Sequence, residues 1–294
     1  MSAPGVSVKA ELLELVERVD NSLTLPGIKR VYIPEPRPHV AEHTEFGVME
    51  LADGSAGLYY AWLGESQKGM STRFSVGELA GLRIPEIANF LDQNDDAARS
   101  LGMAAVNAIT QCLFRRAGFR PGAAGDSMGA LALKPDDHLG MVGYFPSLIA
   151  RLKESGIRVS VIERKTHFVS DSDCITIGDD IGELEGCNKI LCTASTLLND
   201  SIDAVLAHTG HAEATVVIGP TAGFVPDPLF RRGVSAVGGT EVLDAGAAIE
   251  DLKNDRGLAA STRKFLIHHH NYPGIDALIT SAREARSPPC PPKC

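Results

Sequence analysis

The sequence predicts an α/β protein in which an open parallel sheet in residues 126–286 follows a smaller α+β domain in residues 1–125. Two observations carry this prediction. Strand-like and helix-like segments alternate from residue 139 to residue 253, which is typical of a parallel sheet covered by helices, whereas strands precede helices in the first half. The 294 residues are also enough for two domains.

Charge and composition exclude some classes of partner. The net charge of −9 argues against nucleic acids and anionic membranes, because phosphate groups require a basic surface. No apolar run approaches the roughly 20 residues that span a bilayer, and the N-terminus lacks a secretory signal. Six cysteines at irregular spacing do not form a disulfide framework, so a cytoplasmic location is expected. Since nothing in the sequence indicates an oligomeric state, a homodimer is the default expectation.

The first domain is predicted to contain an antiparallel hairpin and several helices. Apolar residues at helical spacing indicate a helix in residues 11–20. Short apolar runs in residues 31–33, 46–51 and 56–63 indicate an antiparallel hairpin or meander, and Asp53-Gly54 is a strong turn signal between the last two runs. The longest helix is predicted in residues 95–117, where acidic residues suit its N-terminal end.

A shorter helix is predicted in residues 75–90. Ser75 and Glu78 form the pattern of a capping box, and Pro85 is expected to end or kink this helix. The Gly- and Pro-rich residues 119–137 are the predicted domain boundary.

The second domain is predicted to begin with a βαβ unit in residues 139–163. Further strands are expected in residues 188–193, 214–218 and 234–237, with helices in residues 199–208, 226–232 and 244–253. The Pro- and Cys-containing residues 287–294 are predicted to be a flexible tail.

Small, polar or acidic residues follow the predicted strands of the second domain. Because the carboxyl ends of parallel strands meet at one edge of a sheet, these residues are expected to share one ligand-binding crevice. The residues are Gly143, Tyr144, Phe145, Glu163, Ser195, Thr196, Asn199, Gly219, Pro220, Thr221, Thr240 and Asp244.

Two simpler interpretations of these residues stay open. The βαβ unit can serve only to build a core, and Ser195, Thr196 or Asn199 can simply cap a helix. As a binding site, the hydroxyls and amides of this strand-to-helix junction would suit an anionic group.

The turn after the first strand of this sheet does not favour a dinucleotide. It lacks the G-x-G-x-x-G pattern that lets a backbone approach a pyrophosphate, although Glu163 follows Gly143 by the 20 residues expected of a ribose-binding carboxylate. An NAD(P)-linked oxidoreductase is therefore the less favoured alternative.

Several motifs in one order resemble the heavy-metal-chelation family. They are LGMAAVNAI at 101–109, VGYFP at 142–146, VIER at 161–164, TASTLLNDSID at 193–203, VVIGPT at 216–221, PDPLFRRGV at 226–234 and GGTEVLD at 238–244. The resemblance implies a Rossmann-like domain preceded by a domain like the N-terminal domain of enolase. It covers nearly the whole chain.

The resemblance also implies a site between the two domains, to which Asn107 of the first domain contributes. Two departures from the family pattern, Thr221-Ala222 and Glu42-His43-Thr44, suggest a specialised member whose ligand differs. Glu42, His43 and Glu45 form an acidic cluster around a histidine, in which His43 is either an acid–base group or ligand, or a surface residue.

The ligand is expected to be a small molecule or a metal complex, and the sequence does not decide whether the protein binds it or transforms it. Glu163 and His43 are the candidate acid–base groups of a lyase- or transferase-type reaction without a nucleotide. A metal ion is a candidate cofactor, but its ligands are not identified. Residues 268–270, all histidine, and Cys290 and Cys294 offer nitrogen and sulfur donors without the spacing of a structural zinc site.

Overall fold

The computed structural model describes residues 5–35, 45–61, 69–124, 128–164 and 173–285. Within these residues the strands form a three-stranded antiparallel sheet and an eight-stranded, mostly parallel sheet. This arrangement confirms the predicted fold class. No helix in the described ranges is long and apolar enough to cross a membrane.

The small sheet is an antiparallel meander of three strands, one of the two arrangements that the sequence predicts. Strands β2 and β3 pair on either side of Asp53-Gly54, and Phe46 lies opposite Tyr60. The segment predicted as one helix over residues 75–90 is two helices, because Pro85 occupies the first turn of the second one. The elements of this part are α1 Val8–Ser22, β1 Ile28–Tyr32, β2 Phe46–Leu51, β3 Ala56–Tyr60, α2 Met70–Arg73, α3 Val76–Gly81, α4 Ile84–Ala88 and α5 Asp96–Arg116.

Helix α5 lies at the centre of the molecule and is buried on all sides. Its N-terminus is capped by Asp95, whose side chain accepts a hydrogen bond from the Ala98 N–H at 2.8 Å. Strand β3 packs directly onto it at Gly57, where a Cβ atom would lie 2.2 Å from the Ala104 carbonyl oxygen. Only glycine permits this approach between strand and helix.

The large sheet has the strand order β4-β11-β10-β9-β8-β5-β6-β7. All neighbours from β10 to β7 are parallel, while β11 and β4 add an antiparallel edge. The elements are β4 Gly122–Ala123, β5 His138–Val142, α6 Pro146–Ser155, β6 Arg158–Ile162, β7 Ile175–Gly178, β8 Lys189–Thr193, α7 Ser195–Leu198, α8 Ile202–Ala207, β9 Ala214–Ile218, α9 Asp227–Phe230, β10 Ala236–Val242, α10 Ala245–Lys253, β11 Thr262–His268 and α11 Ile275–Glu284.

Five of these elements, β4, β7, α7, β11 and α11, were not predicted from the sequence. Strands β4 and β7 have only two and four residues, too few for a periodic pattern. Strand β11 contains two basic residues and buries only Phe265 and Ile267, so its composition resembles that of a loop. Its partner β10 supplies seven paired residues, and this tertiary pairing makes it a strand.

One hydrophobic core extends across both parts of the chain. It combines Leu12 of α1 and Leu101 of α5 with Val217 of β9 and Ile279 of α11. The opposite face of the large sheet has a separate core, to which Leu191 belongs. This division follows the alternation of side chains along each strand.

The Asn107 side chain of α5 joins the two sheets directly. Its amide nitrogen donates hydrogen bonds to the Leu58 carbonyl of β3 at 2.8 Å and to the Thr221 carbonyl after β9 at 2.7 Å. The Tyr60 N–H adds a third bond, to the Thr221 hydroxyl oxygen at 3.1 Å. Asn107 is 1% exposed, so water does not replace these bonds.

Replacing this amide is expected to destabilise the whole protein. Asn107→Ala removes the side-chain donor of the buried Leu58 carbonyl and one of two donors to the Thr221 carbonyl, which keeps its bond from the Gly223 N–H. The free energy of unfolding is therefore expected to fall by about 1–3 kcal/mol. Urea unfolding followed by circular dichroism measures the change.

Thr110→Val is the matched control on the same helix. Thr110 is also buried, but its hydroxyl donates only to the Val106 carbonyl of its own helix. The expected loss is about 1 kcal/mol or less. Equal losses in the two variants would contradict the bridging role of Asn107.

Candidate functional site

A cavity of about 430 Å³ lies where the carboxyl ends of β5, β6, β8 and β9 face the small sheet. Strand β6 lies on one side of β5 and β8 on the other, so the chain changes winding direction between β5 and β8. Such a switch point leaves an open crevice at the ends of the strands. The small sheet closes this crevice with Glu45, Phe46 and Tyr60.

Glu163 follows β6 and supports the turn between β5 and α6. One of its carboxylate oxygens accepts a hydrogen bond from the Tyr144 N–H at 3.1 Å. Gly143 takes a positive φ of 92°, and a Cβ atom there would lie 2.9 Å from the Thr193 methyl carbon. The turn therefore requires glycine and presents the Glu163 carboxylate at the cavity wall.

Hydroxyl groups line the cavity after β8. The Thr193 and Ser195 hydroxyl oxygens lie 2.8 Å apart, and the Thr196 hydroxyl donates to the Thr193 carbonyl at 2.6 Å. The Asn199 side-chain oxygen accepts from the Ser201 hydroxyl at 2.6 Å. Ser195 and Thr196 lie inside α7, whose N-cap residue is Ala194, so neither of them is the helix cap.

The backbone amides at these strand ends are used within the sheet. The first N–H beyond each strand donates to a carbonyl of the adjacent strand. The four hydrogen bonds run from Gly143 to Ile162 at 2.9 Å, from Glu163 to Gly178 at 2.8 Å, from Ala194 to Ile218 at 2.7 Å and from Gly219 to Gly238 at 3.0 Å. Side chains therefore supply the polar groups of the cavity. This does not favour the anion site considered for the junction after β8.

The wall from the small sheet contains a tyrosine with a shifted pKa. Burial, together with the charge of Glu45 and a hydrogen bond to it, raises the pKa of Tyr60 to about 12. The Phe46 ring packs edge-on against Tyr60, with ring centroids 5.9 Å apart.

Phe46 and Tyr60 were missed as site residues in the sequence. Their strands are apolar and indicate a core, and only the antiparallel register places both residues at the cavity. The sequence analysis includes Glu45 in the acidic cluster around His43, but it does not single out Glu45 as a site residue. His43 itself lies outside the described residues.

Asn107, Thr240 and Asp244 do not line the cavity. Asn107 lies behind its wall as the bridge between the sheets. Strand β10 extends beyond the end of β9, because Gly238 is already opposite Ile218, the last residue of β9. Thr240 therefore pairs with β11, and Asp244 caps α10 through the Ala247 N–H. The other predicted residues, Gly143 to Phe145, Glu163, Ser195, Thr196, Asn199 and Gly219 to Thr221, come together at the cavity.

Two family models match the chain, and both carry the description "Putative heavy-metal chelation". The DUF364 model matches residues 126–270, and the DUF4213 model matches residues 44–110. The chain belongs to this family. The resemblance found in the sequence motifs is thereby confirmed.

One curated protein and two solved structures are also similar to this chain. An uncharacterised protein of Methanocaldococcus jannaschii is 29% identical over 173 residues, which are 58% of this chain and 64% of that relative. A crystal structure of a DUF364 protein of unknown function from Pyrococcus horikoshii has 18% identity and a TM-score of 0.61, covering 89% of this chain and 98% of that one. Another, from Desulfitobacterium hafniense, has 18% identity and a TM-score of 0.59, covering 86% and 98%. At this identity the two structures show the fold.

The family description raises the question of a resident metal ion. Burial raises the pKa of Cys112 to about 12, of Cys187 to about 11 and of Cys192 to about 12, so these thiols stay protonated and are poor ligands. Among the described residues, no three His, Cys, Asp or Glu side chains are grouped to hold a metal. The described residues therefore do not fit a thiolate-bound resident metal.

Of the nitrogen and sulfur donors near the C-terminus, the structure describes the three histidines 268–270. His268 ends β11, and the His269 ring packs against Phe230 with centroids 5.1 Å apart. His270 lies next to His268, with ring centroids 5.2 Å apart. Cys290 and Cys294 lie outside the described residues.

Thiol labelling tests the protonated, buried state of the three cysteines. With iodoacetamide at mildly alkaline pH, we expect Cys174, which is half-buried, to react in the native protein while Cys112, Cys187 and Cys192 react only after unfolding. Peptide mass mapping measures each site separately. Labelling of Cys192 in the native protein at the rate of Cys174 would contradict the buried, protonated state of the Cys192 thiol.

The raised pKa of Tyr60 predicts a stability change at high pH. A pKa above the ordinary value means that the fold favours the neutral phenol, so this contribution is complete below about pH 10 and is lost as the pH rises towards about 12. Urea unfolding of the wild type and of Tyr60→Phe across this range should show the wild type losing stability relative to the variant. A difference in the free energy of unfolding between wild type and variant that stays constant across this pH range would refute the raised pKa of Tyr60.

Proposed function

We propose that this protein binds a small polar molecule, either free or as a metal complex, in the cavity between the two sheets. The observation that carries the proposal is the set of groups on its walls. Glu163 and Glu45 provide carboxylates, and Tyr60, Thr193 and Ser195 provide hydroxyl groups, while the strand-end amides are used within the sheet.

These groups favour a ligand that donates hydrogen bonds. Carboxylate oxygens accept hydrogen bonds and hydroxyl groups both accept and donate, so ligand hydroxyl, amine or metal-bound water groups are complementary to them. Among the described residues that line the cavity, Arg164 is the cation, and it suits an acidic group at one end of the ligand. A volume of about 430 Å³ limits the ligand to a small molecule.

A metal fits this proposal as cargo. Carboxylate and hydroxyl oxygens are hard donors, and a chelating organic molecule would contribute the rest of the coordination shell. The family description supports a role in metal chelation. Our proposal extends to the biosynthesis of a metal-binding natural product, which the family description does not mention.

A dinucleotide is disfavoured by the turn after β5. The Tyr144 N–H donates to Glu163, and Pro146 at the first position of α6 has no N–H. The turn thus lacks two of the donors that a pyrophosphate would need, in addition to the missing glycines.

A lyase- or transferase-type enzyme is the second candidate. The Tyr60 hydroxyl is paired with Glu45, and Glu163 lines the same cavity, so acid–base groups are contributed from both sheets. Such a pair can hold and transfer a proton at a bound substrate. Turnover of a candidate metabolite that is lost in Glu163→Gln, with binding retained, would favour this function over binding alone.

The binding proposal is tested on gently purified protein by native mass spectrometry and elemental analysis. We expect a bound small molecule, with or without a metal, in the wild type. Glu163→Gln should retain less than about a tenth of this ligand, because the variant loses a charge-assisted interaction with it. The new amide oxygen can still accept from the Tyr144 N–H, so the turn should keep its structure.

Glu154→Gln is the matched control, since Glu154 is exposed on α6 and does not line the cavity. It should retain the ligand at the wild-type level. Retention by Glu163→Gln and Glu45→Gln as well would place the ligand elsewhere and overturn the proposal. So would a wild-type protein that neither carries a ligand nor takes one up from an extract of its host.

A further inference from the structure

A second cavity, of about 360 Å³, lies at the C-terminal end of α5. The turn between β2 and β3 forms one side, residues 118–121 form another, and the end of β10 forms the third. It shares no lining residue with the first cavity.

Gln111 brings an unpaired donor to this cavity. The residue is 9% exposed, and its side-chain nitrogen is buried without a hydrogen-bond partner among the described residues. A buried donor without a partner costs free energy, which a bound acceptor would recover. The terminal torsion of a glutamine side chain is broad, so the amide can turn towards the cavity with little strain.

Among the described residues around this cavity, the charges leave one cation in excess. Arg115 pairs with Asp53 at 3.1 Å, and Arg263 pairs with Glu241 at 2.6 Å. Arg120 lines the cavity, and its guanidinium has no ion pair or hydrogen bond among the described residues. A negative group would therefore meet a free guanidinium and the Gln111 amide together.

Part of the remaining lining is apolar. The Phe114 and Phe119 rings pack edge to face, with centroids 4.9 Å apart, and Val242 lies in the same lining. Leu243 at the end of the lining is 53% exposed, which is unusual for a large apolar side chain in this protein. An occupant with an apolar body would cover it.

We propose that this second cavity binds a small organic carboxylate. The carboxylate contacts Arg120 and the Gln111 amide, and the apolar chain lies along Phe119 and Leu243. The inference is independent of the function proposed for the first cavity, because different residues carry it.

Hexanoate is a suitable probe, with 1-hexanol and inorganic phosphate as its uncharged and non-apolar counterparts. Titration of the full chain, followed by calorimetry and by amide chemical shifts, should show hexanoate binding at least about tenfold tighter than either counterpart. The shifts should concentrate at the Gln111 side-chain amide and the backbone amides of residues 118–120.

Two variants and a control locate the site. Arg120→Ala and Gln111→Glu should each weaken hexanoate binding by about tenfold or more. The first substitution removes the cation, and the second places a carboxylate that repels the carboxylate of hexanoate. Arg283→Ala makes the same change in net charge at an exposed arginine of α11 and should leave binding unchanged.

Several results would overturn the proposal. Equal binding of 1-hexanol would mean that the cavity is only apolar, and equal binding of phosphate would mean that only charge is recognised. Wild-type affinity in Arg120→Ala, a surface change that does not threaten folding, would exclude the site even if Gln111→Glu were unstable. Absence of hexanoate binding by the wild type would also exclude it.

Discussion

The structure depends on one buried amide that holds two sheets together. Asn107 is contributed by α5, and its two donors are used by carbonyls that lie 49 and 114 residues away in the chain. In a buried setting each carbonyl needs a donor, and one asparagine serves both. The end of β3 and the loop after β9 are thereby held at hydrogen-bonding distance, and both segments line the first cavity.

This contact is possible because α5 is packed as an interior helix. Its small residues allow β3 to approach closely at Gly57, and its larger residues fill a core shared with α1, α11 and the large sheet. The two sheets therefore cannot be treated as independent bodies joined by a linker. A cavity between them has walls held by continuous packing, which suits a preformed binding site.

The chemistry of the cavity follows from how the strands end. Each amide just beyond a strand completes the ladder with its neighbour, so the backbone supplies rigidity while side chains supply polarity. Many α/β proteins use the same edge to bind phosphate through free amides and a glycine-rich turn. Here Glu163 accepts the Tyr144 N–H within the turn and presents its carboxylate in the place where such proteins bind phosphate.

The sequence by itself determined the elements with strong local patterns and the residues adjoining them. The 95–117 helix with its acidic N-terminal end, the turn at Asp53-Gly54 and the parallel strand ends all follow from periodicity and turn chemistry, which act within a few residues. Tertiary structure alone decided which of these residues meet. The strand register places Phe46 and Tyr60 at the cavity. Thr240 lies away from the cavity because β10 extends beyond the end of β9. Asn107 bridges the two sheets and does not line the cavity. Contacts across 49 or 114 residues leave no local pattern, because they depend on how whole elements pack.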